Sequence, residues 1–309
     1  MIRVFINTKE MNYQINFDTT KVSQSINKVF TLDSDLGYYK SVGSGKSGEV
    51  MINKYKFTHP KKAIDLNKTF NKQKTIKYIR EFDTTIDPFV DYLIEKGIKA
   101  CGSIVTYRSC LRQILVTPYI KYEWSCYAYK KNNCIYLYDV YDPKYYNNVI
   151  KGIHNNNYFK NTCCNMTDDV YHVNKWNIKT KQADLNIIVS SSVDGIYHNK
   201  SVKLKTMNMS LFDNCFTQID NKFINLWSQC FLDNADNCIC GFYEHQSTLV
   251  TKVKRYSRND LSMSFNPNVG IYFMVKVLLC LNRHLKNNKT CFVERNSTGI
   301  HLSECTTPR

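Results

Sequence analysis

A chain of 309 residues in which 42 Lys+Arg outnumber 26 Asp+Glu carries a formal charge of +16. The length supports a substantial buried core, and the 13% aromatic content, with 22 Tyr and 16 Phe, excludes a disordered chain. The cationic excess suits a phosphate-bearing polyanion as partner.

Along the chain, residues 1–80 are mixed and polar, with loops expected around Gly37 and over Gly43-Ser-Gly-Lys-Ser-Gly48. The glycine run invites a phosphate-loop reading, which fails because the required earlier glycine position holds Lys40. From Pro88 the pattern turns helical through Phe89, Tyr92 and Leu93, and a second helix is expected over Gly102 to Val116. There Ile104, Arg108, Leu111 and Leu115 fall on one stripe. An arginine on an apolar stripe must be paired with a carboxylate or face a ligand.

Trp124 to Lys130 and Cys134 to Asp142 alternate as two strands joined by a turn-rich Lys130-Lys-Asn-Asn133. Ile135, Leu137 and Asp139 then share a face, so Asp139 is expected to be paired, protonated or a metal ligand. Leu185 to Asp194 and Ser201 to Thr206 read as a further strand pair connected through Asn199, with Lys203 and Lys205 on one face. Asn221 to Leu232 reads as a helix, and Asn237 to Glu244 and Leu249 to Tyr256 as strands. Asn266-Pro267 is an N-cap and N1 pair opening a buried helix whose apolar stretch, Val269 to Leu281, is too short for a membrane span. With no internal repeat, no Pro- or Ser-rich linker and only 6 Pro, one α+β domain is expected, a mixed β-sheet core flanked by helices.

The 13 Cys show no C-x-x-C pair, and Cys238-x-Cys240 and Cys163-Cys164 lack zinc-finger spacing. Cys110, Cys134, Cys230 and Cys280 sit in apolar segments as small hydrophobes. Charge interrupts Met-Ile-Arg-Val-Phe-Ile too early for a secretory segment. An intracellular, reduced protein is the expectation. Lys252-Val-Lys-Arg255 reads as a solvated strand end rather than a targeting signal.

The chemistry concentrates at Asp194 and Ser201-Val-Lys-Leu-Lys205. Metal-dependent nucleases carry an aspartate followed by Glu-x-Lys, the carboxylates holding a divalent cation and the lysine orienting water or stabilising phosphate charge. Here the glutamate position holds Lys203, which has no lone pair to offer a metal.

Four stretches, in this order, resemble the DXO family of decapping exoribonucleases, nuclear enzymes of RNA 5′-end quality control. They are Thr106-Tyr-Arg-Ser-Cys-Leu-Arg-Gln-Ile-Leu-Val-Thr-Pro-Tyr119, Cys134-Ile-Tyr-Leu-Tyr-Asp139, Val189-Ser-Ser-Ser-Val-Asp194 with Val202-Lys-Leu-Lys205, and Leu226-Trp-Ser-Gln-Cys-Phe231 followed by Gly241-Phe242. The resemblance implies a nuclease-like fold over residues 1–309, with those before about residue 30 peripheral. It implies that Arg108 contacts RNA 5′ phosphates and that Asp139 and Asp194 are ligands for Mg²⁺ or Mn²⁺. By the same likeness Lys205 and Gln229 face the scissile phosphate, so that Asp194, Lys205 and Gln229 form the catalytic set.

The departures matter equally. Ser192 and Lys203 stand at acidic positions of the family pattern, Tyr243 replaces the arginine after Gly-Phe, and Asp139 is shorter than the usual Glu. A retained fold with eroded ligands is also the pattern of an insect germline member that works in a nuclear complex on small-RNA precursors. The leading expectation is therefore a catalytically impaired protein, without a required cofactor, that binds single-stranded RNA 5′ ends and nuclear protein partners and no membrane. The alternative is an active Mg²⁺- or Mn²⁺-dependent decapping or 5′-3′ exonuclease. A third reading is an interaction subunit that supports a separate exonuclease.

Overall fold

The computed structural model describes residues 26, 29–41, 47–48, 50, 52–68, 70, 86–140, 143–166, 169–181, 183–209, 216–244, 247–296 and 299–305. Most of the glycine run at 43–48 therefore lies outside the described residues, and Gly37 sits within a strand rather than a loop.

In chain order the strands β1 (Phe30–Ser41), β2 (Ser47–Gly48) and β3 (Ile64–Asp65) precede helix α1 (Asp87–Glu95). Then come β4 (Ser103–Tyr107), α2 (Arg108–Val116), β5 (Trp124–Lys131), β6 (Cys134–Asp139) and the long α3 (Pro143–Cys164). They are followed by β7 (Val170–Lys179), β8 (Asp184–Ser192), β9 (Gly195–Tyr197), β10 (Lys200–Asn208) and α4 (Phe216–Leu232). The chain closes with β11 (Asn237–Tyr243), β12 (Leu249–Ser257), a single turn α5 (Arg258–Leu261), α6 (Pro267–His284), β13 (Thr290–Asn296) and β14 (Gly299–Cys305).

Two sheets result. The nine-stranded one runs β14-β13-β5-β6-β4-β8-β7-β1-β2 and the five-stranded one runs β3-β12-β11-β10-β9. Both are mixed: β4 lies parallel to β6 and β8, and β10 parallel to β11, amid antiparallel neighbours. The α+β class expected above is the one observed. The main core joins α2, α4 and α6 to the large sheet and to one face of the small one, through Leu111, Ile187, Trp227, Cys240, Phe273 and Leu278. A second core, with Phe159, Cys163, Val202 and Leu204, lies between α3 and the other face of the small sheet.

The tight turns follow from residue chemistry. Asn132 and Asn133 link β5 to β6 at φ of 50° and 59°, and His198 and Asn199 link β9 to β10 at 48° and 60°. Two-residue hairpins need positive φ at both central positions, which asparagine tolerates better than most residues. At α6, Asn266 caps the helix by accepting from the Asn268 N–H at 3.1 Å, with Pro267 at the first position, as the sequence predicted.

Three expectations need correction. Gly102 to Val116 is a strand followed by a helix, because the β-branched run Ile-Val-Thr inside Ser103–Tyr107 is paired with both β6 and β8. The stretches Leu185 to Asp194 and Ser201 to Thr206 do not pair. β8 belongs to the large sheet, while β10 forms its hairpin with β9 in the small one. The β-structure is two sheets rather than one, and α3 and the C-terminal hairpin β13–β14 were not anticipated. No helix among the described residues is long and apolar enough to cross a membrane, and the described cysteines are free thiols.

Candidate functional site

Between the last residue of β8 and the first of β9 the chain passes from one sheet to the other, and Asp194 sits in that crossing. The β9–β10 hairpin pairs Gly195 with Val202, which sets Asp194 beside Lys203 and Leu204. The Leu204 N–H donates to Asp194 Oδ2 at 3.2 Å. Alternation along β10 then sends Lys203 and Lys205 to the same face, with their Nζ atoms 3.6 and 3.9 Å from that oxygen.

Arg108 arrives from the large sheet. Tyr107 at the end of β4 is in register with Ser190 of β8, so the first residue of α2 emerges beside the end of β8. Arg108 Nη2 lies 3.4 Å from Ser192 Oγ, and its Nη1 is 2.5 Å from Asp233 Oδ2. Asp233 is the residue after α4, where Asn234 adopts a left-handed conformation and the Ala235 N–H returns to the Cys230 carbonyl. A carboxylate at a helix C-terminus is disfavoured by the helix dipole and needs compensating cations. Arg108 and Lys203 supply them. Gln229, half-buried, lies four residues earlier on the same face of α4, and its carbonyl accepts from the Asp233 N–H.

Lys203 is the centre of the arrangement. Its side chain is 0% exposed, and its ammonium reaches Asp233 Oδ2 at 2.5 Å, the Ser192 carbonyl at 2.7 Å and Asp194 Oδ2 at 3.6 Å. An ammonium has three donors, and three oxygens surround it. Lys160 of α3 completes the cluster, with Nζ 3.3 Å from Asp194 Oδ1. Burial would raise the carboxyl pKa of Asp194, but Lys203, Lys160, Lys205 and Arg108 together hold it far below the usual carboxylate range. Asp233 follows the same logic: burial opposes ionisation, and Arg108 and Lys203 overcome it. Lys205 moves the other way, down to about 8, because burial and the neighbouring cations outweigh Asp194.

The structure thus brings together five of the residues singled out in the sequence, Arg108, Ser192, Asp194, Lys203 and Lys205, with Gln229 on the adjoining helix face. It adds Asp233 and Lys160, which sequence reasoning missed. It leaves two residues apart. Asp139 at the end of β6 accepts from Cys110 Sγ and Gln113 Nε2, each at 3.2 Å, and among the described residues no ion pair joins it to Lys203. Lys203 pairs instead with Asp194 and Asp233. Tyr243 pairs with Asn208 on β10 and packs into the second core, the side of the small sheet opposite Lys203 and Lys205.

A divalent ion does not fit these residues. It would need oxygen ligands at roughly 2.0–2.6 Å, yet Asp233 Oδ2, Asp194 Oδ2 and the Ser192 carbonyl all face the Lys203 ammonium. Among the described residues no group of three or more His, Cys, Asp or Glu is placed to hold a metal.

A mixed sheet whose central strand runs into an aspartate, followed by a strand presenting lysines to it, defines a nuclease-like protein. The sequence matches the family described as RAI1 like PD-(D/E)XK nuclease over residues 20–306, and the chain belongs to that family. This match, with the solved Rai1 and Dxo1 structures below, supports the DXO-family resemblance read from the motifs. S. pombe Rai1, solved in complex with 3′-FADP, superposes with a TM-score of 0.72 at 16% identity, covering 94% of this chain and 99% of that one. Candida albicans Rai1 in complex with pU5-Mn²⁺ gives 0.67 at 14% identity, covering 90% of each chain. K. lactis Dxo1 in complex with manganese gives 0.59 at 14% identity, covering 87% and 83%. At such identities the likeness speaks for the fold. No curated protein matches the sequence.

Proposed function

We propose that the protein binds single-stranded RNA at its 5′ end without hydrolysing it, Lys203 having taken the place of the catalytic metal. One observation carries this reading: a fully buried ammonium lies between two carboxylates and a main-chain carbonyl. A nuclease site uses its metal to make the nucleophile and to polarise the phosphoryl oxygen. A lysine supplies positive charge but has no coordination position for water or substrate. Altering even the supporting partners of a metal costs about 10–100-fold in affinity or activity. The donors suited to phosphate remain, with Arg108 a planar fork for bidentate contact and Lys205 a flexible point charge.

RNA as the ligand is supported by the +16 charge and by a relative bound to pU5. Action inside a nuclear complex, in transcript processing or on small-RNA precursors, extends the proposal by resemblance to the insect germline relative called cutoff. The alternative reading, an active decapping or exonuclease enzyme using Mg²⁺ or Mn²⁺, has Lys203 against it.

The test is incubation of the pure full-length chain with 5′-monophosphorylated and capped RNA in Mg²⁺ or Mn²⁺. The expected result is intact RNA. Turnover that disappears with EDTA and in Asp194→Ala would overturn the proposal.

A further inference from the structure

Resting on the reading of this site as a 5′-end pocket, we propose that Lys160 is a third phosphate ligand beside Arg108 and Lys205. Together the three select a terminal phosphate monoester over a diester, without a metal ion. The cluster divides into a sealed base and an accessible rim. The base is Lys203, Asp194 and Asp233, with side chains at most 2% exposed. The rim is Arg108, Lys160 and Lys205, whose side chains are 14%, 18% and 22% exposed. Each rim cation touches the base from a different element: Arg108 opens α2, Lys160 lies on α3, and Lys205 lies on β10.

The charge count selects the ligand. Among the described residues four cations face two carboxylates, a surplus of two positive charges in a largely buried site. A terminal monophosphate carries about −1.5 to −2 near pH 7, whereas an internal diester carries a single charge. Only the terminal group neutralises the cluster, and unneutralised buried charge is costly. The N-terminus of α2 adds to the potential, since Tyr107 makes no side-chain cap to the first-turn N–H groups.

Lys160 is held firmly enough to discriminate. One turn earlier on α3, Asn156 Oδ1 accepts from the Thr206 N–H at 2.8 Å and from Thr206 Oγ1 at 3.1 Å. That contact docks the helix onto β10 next to Lys205. Lys160 therefore approaches from a rigid element.

The experiment measures binding of one oligoribonucleotide with three 5′ ends (phosphate, methylphosphate and hydroxyl) to the full-length chain in EDTA, by fluorescence anisotropy. Wild type is expected to prefer the phosphate over both other ends by about tenfold or more, the scale of a hydrogen bond to a charged group. Lys160→Ala should lose most of that preference with little change for the hydroxyl end, and Lys160→Arg should keep it. If Lys160→Ala fails to fold, the same comparison is read in Lys160→Gln, which removes the charge while keeping an N–H donor for Asp194 Oδ1. Equal wild-type affinity for all three ends would overturn the 5′-end reading itself. A wild-type preference that survives in Lys160→Ala would overturn the role of Lys160 alone. Equal binding of phosphate and methylphosphate would overturn selection by charge, and loss of binding in EDTA would overturn independence from metal.

Discussion

At the scale of single residues, Lys203 is bound by what surrounds it. Two carboxylates at most 2% exposed would repel one another and tend to take up protons in an apolar setting. The ammonium between them removes that conflict, and its own burial is compensated by the three oxygens it meets. Lys203→Met keeps the stem and deletes the charge, so the loss is electrostatic. We expect it to lower stability by about 3–5 kcal/mol, the usual cost of stranding one side of a buried ion pair. Mg²⁺ should partly restore the melting temperature of this variant, now that the oxygens are free for a metal, and leave wild type unchanged. A thermal melt of both proteins with and without Mg²⁺ checks this, and a silent Lys203→Met would refute it. The importance of Asp194, Lys203 and Lys205 was legible because strand alternation and a known acid-then-lysine spacing place them on one face. Asp233 was not legible, because its relation to Lys203 depends on where α4 ends in space. Lys160 was hidden in an asparagine-rich stretch with weak helix propensity and no apolar rhythm. The partners of Asp139, Cys110 and Gln113, were not legible either, because burial on a strand shows that a carboxylate needs a partner, not which one it meets.

At the scale of elements, the site exists because β8 and β10 belong to different sheets. Had they paired directly, as the sequence suggested, Asp194 would lie in an ordinary hairpin connection instead of at the crossing between the sheets. The short β9 was the missing piece, three residues being too few to show a pattern. Likewise the stripe from Ile104 to Leu115 mimicked one helix, although the stretch opens with the β-branched run Ile104-Val-Thr106, which prefers a sheet. The helix that carries Arg108 packs against both α4 and α6, and the approach of α6 to α2 depends on Gly270. A Cβ there would collide with the Leu115 carbonyl and lie 2.9 Å from the Tyr119 ring. Tyr119 is itself fixed, donating to the Asn266 carbonyl and accepting from the Gly270 N–H. We expect Gly270→Ala to lower stability by about 1–3 kcal/mol, the cost of overpacking. Gly152→Ala, on the exposed side of α3 with nothing within 4 Å of the new methyl, should instead raise it by about 0.5–1 kcal/mol. Chemical denaturation of the two variants against wild type measures both, and equal effects would show that the α2–α6 approach is looser than described.

At the scale of the whole molecule, the +16 charge and the local surplus at the cluster act in the same direction. Both draw phosphate and repel divalent cations, the reverse of what a metal-dependent nuclease needs at its centre. The sequence matches the family over residues 20–306, while the described central cluster carries more cations than carboxylates. How far the chain lies from metal catalysis is measured most directly by titrating the full-length protein with Mn²⁺ and following free Mn²⁺ by electron paramagnetic resonance. The account predicts no stoichiometric uptake by wild type and the same signal in Asp194→Ala. One bound Mn²⁺ per wild-type chain, lost in Asp194→Ala, would contradict it.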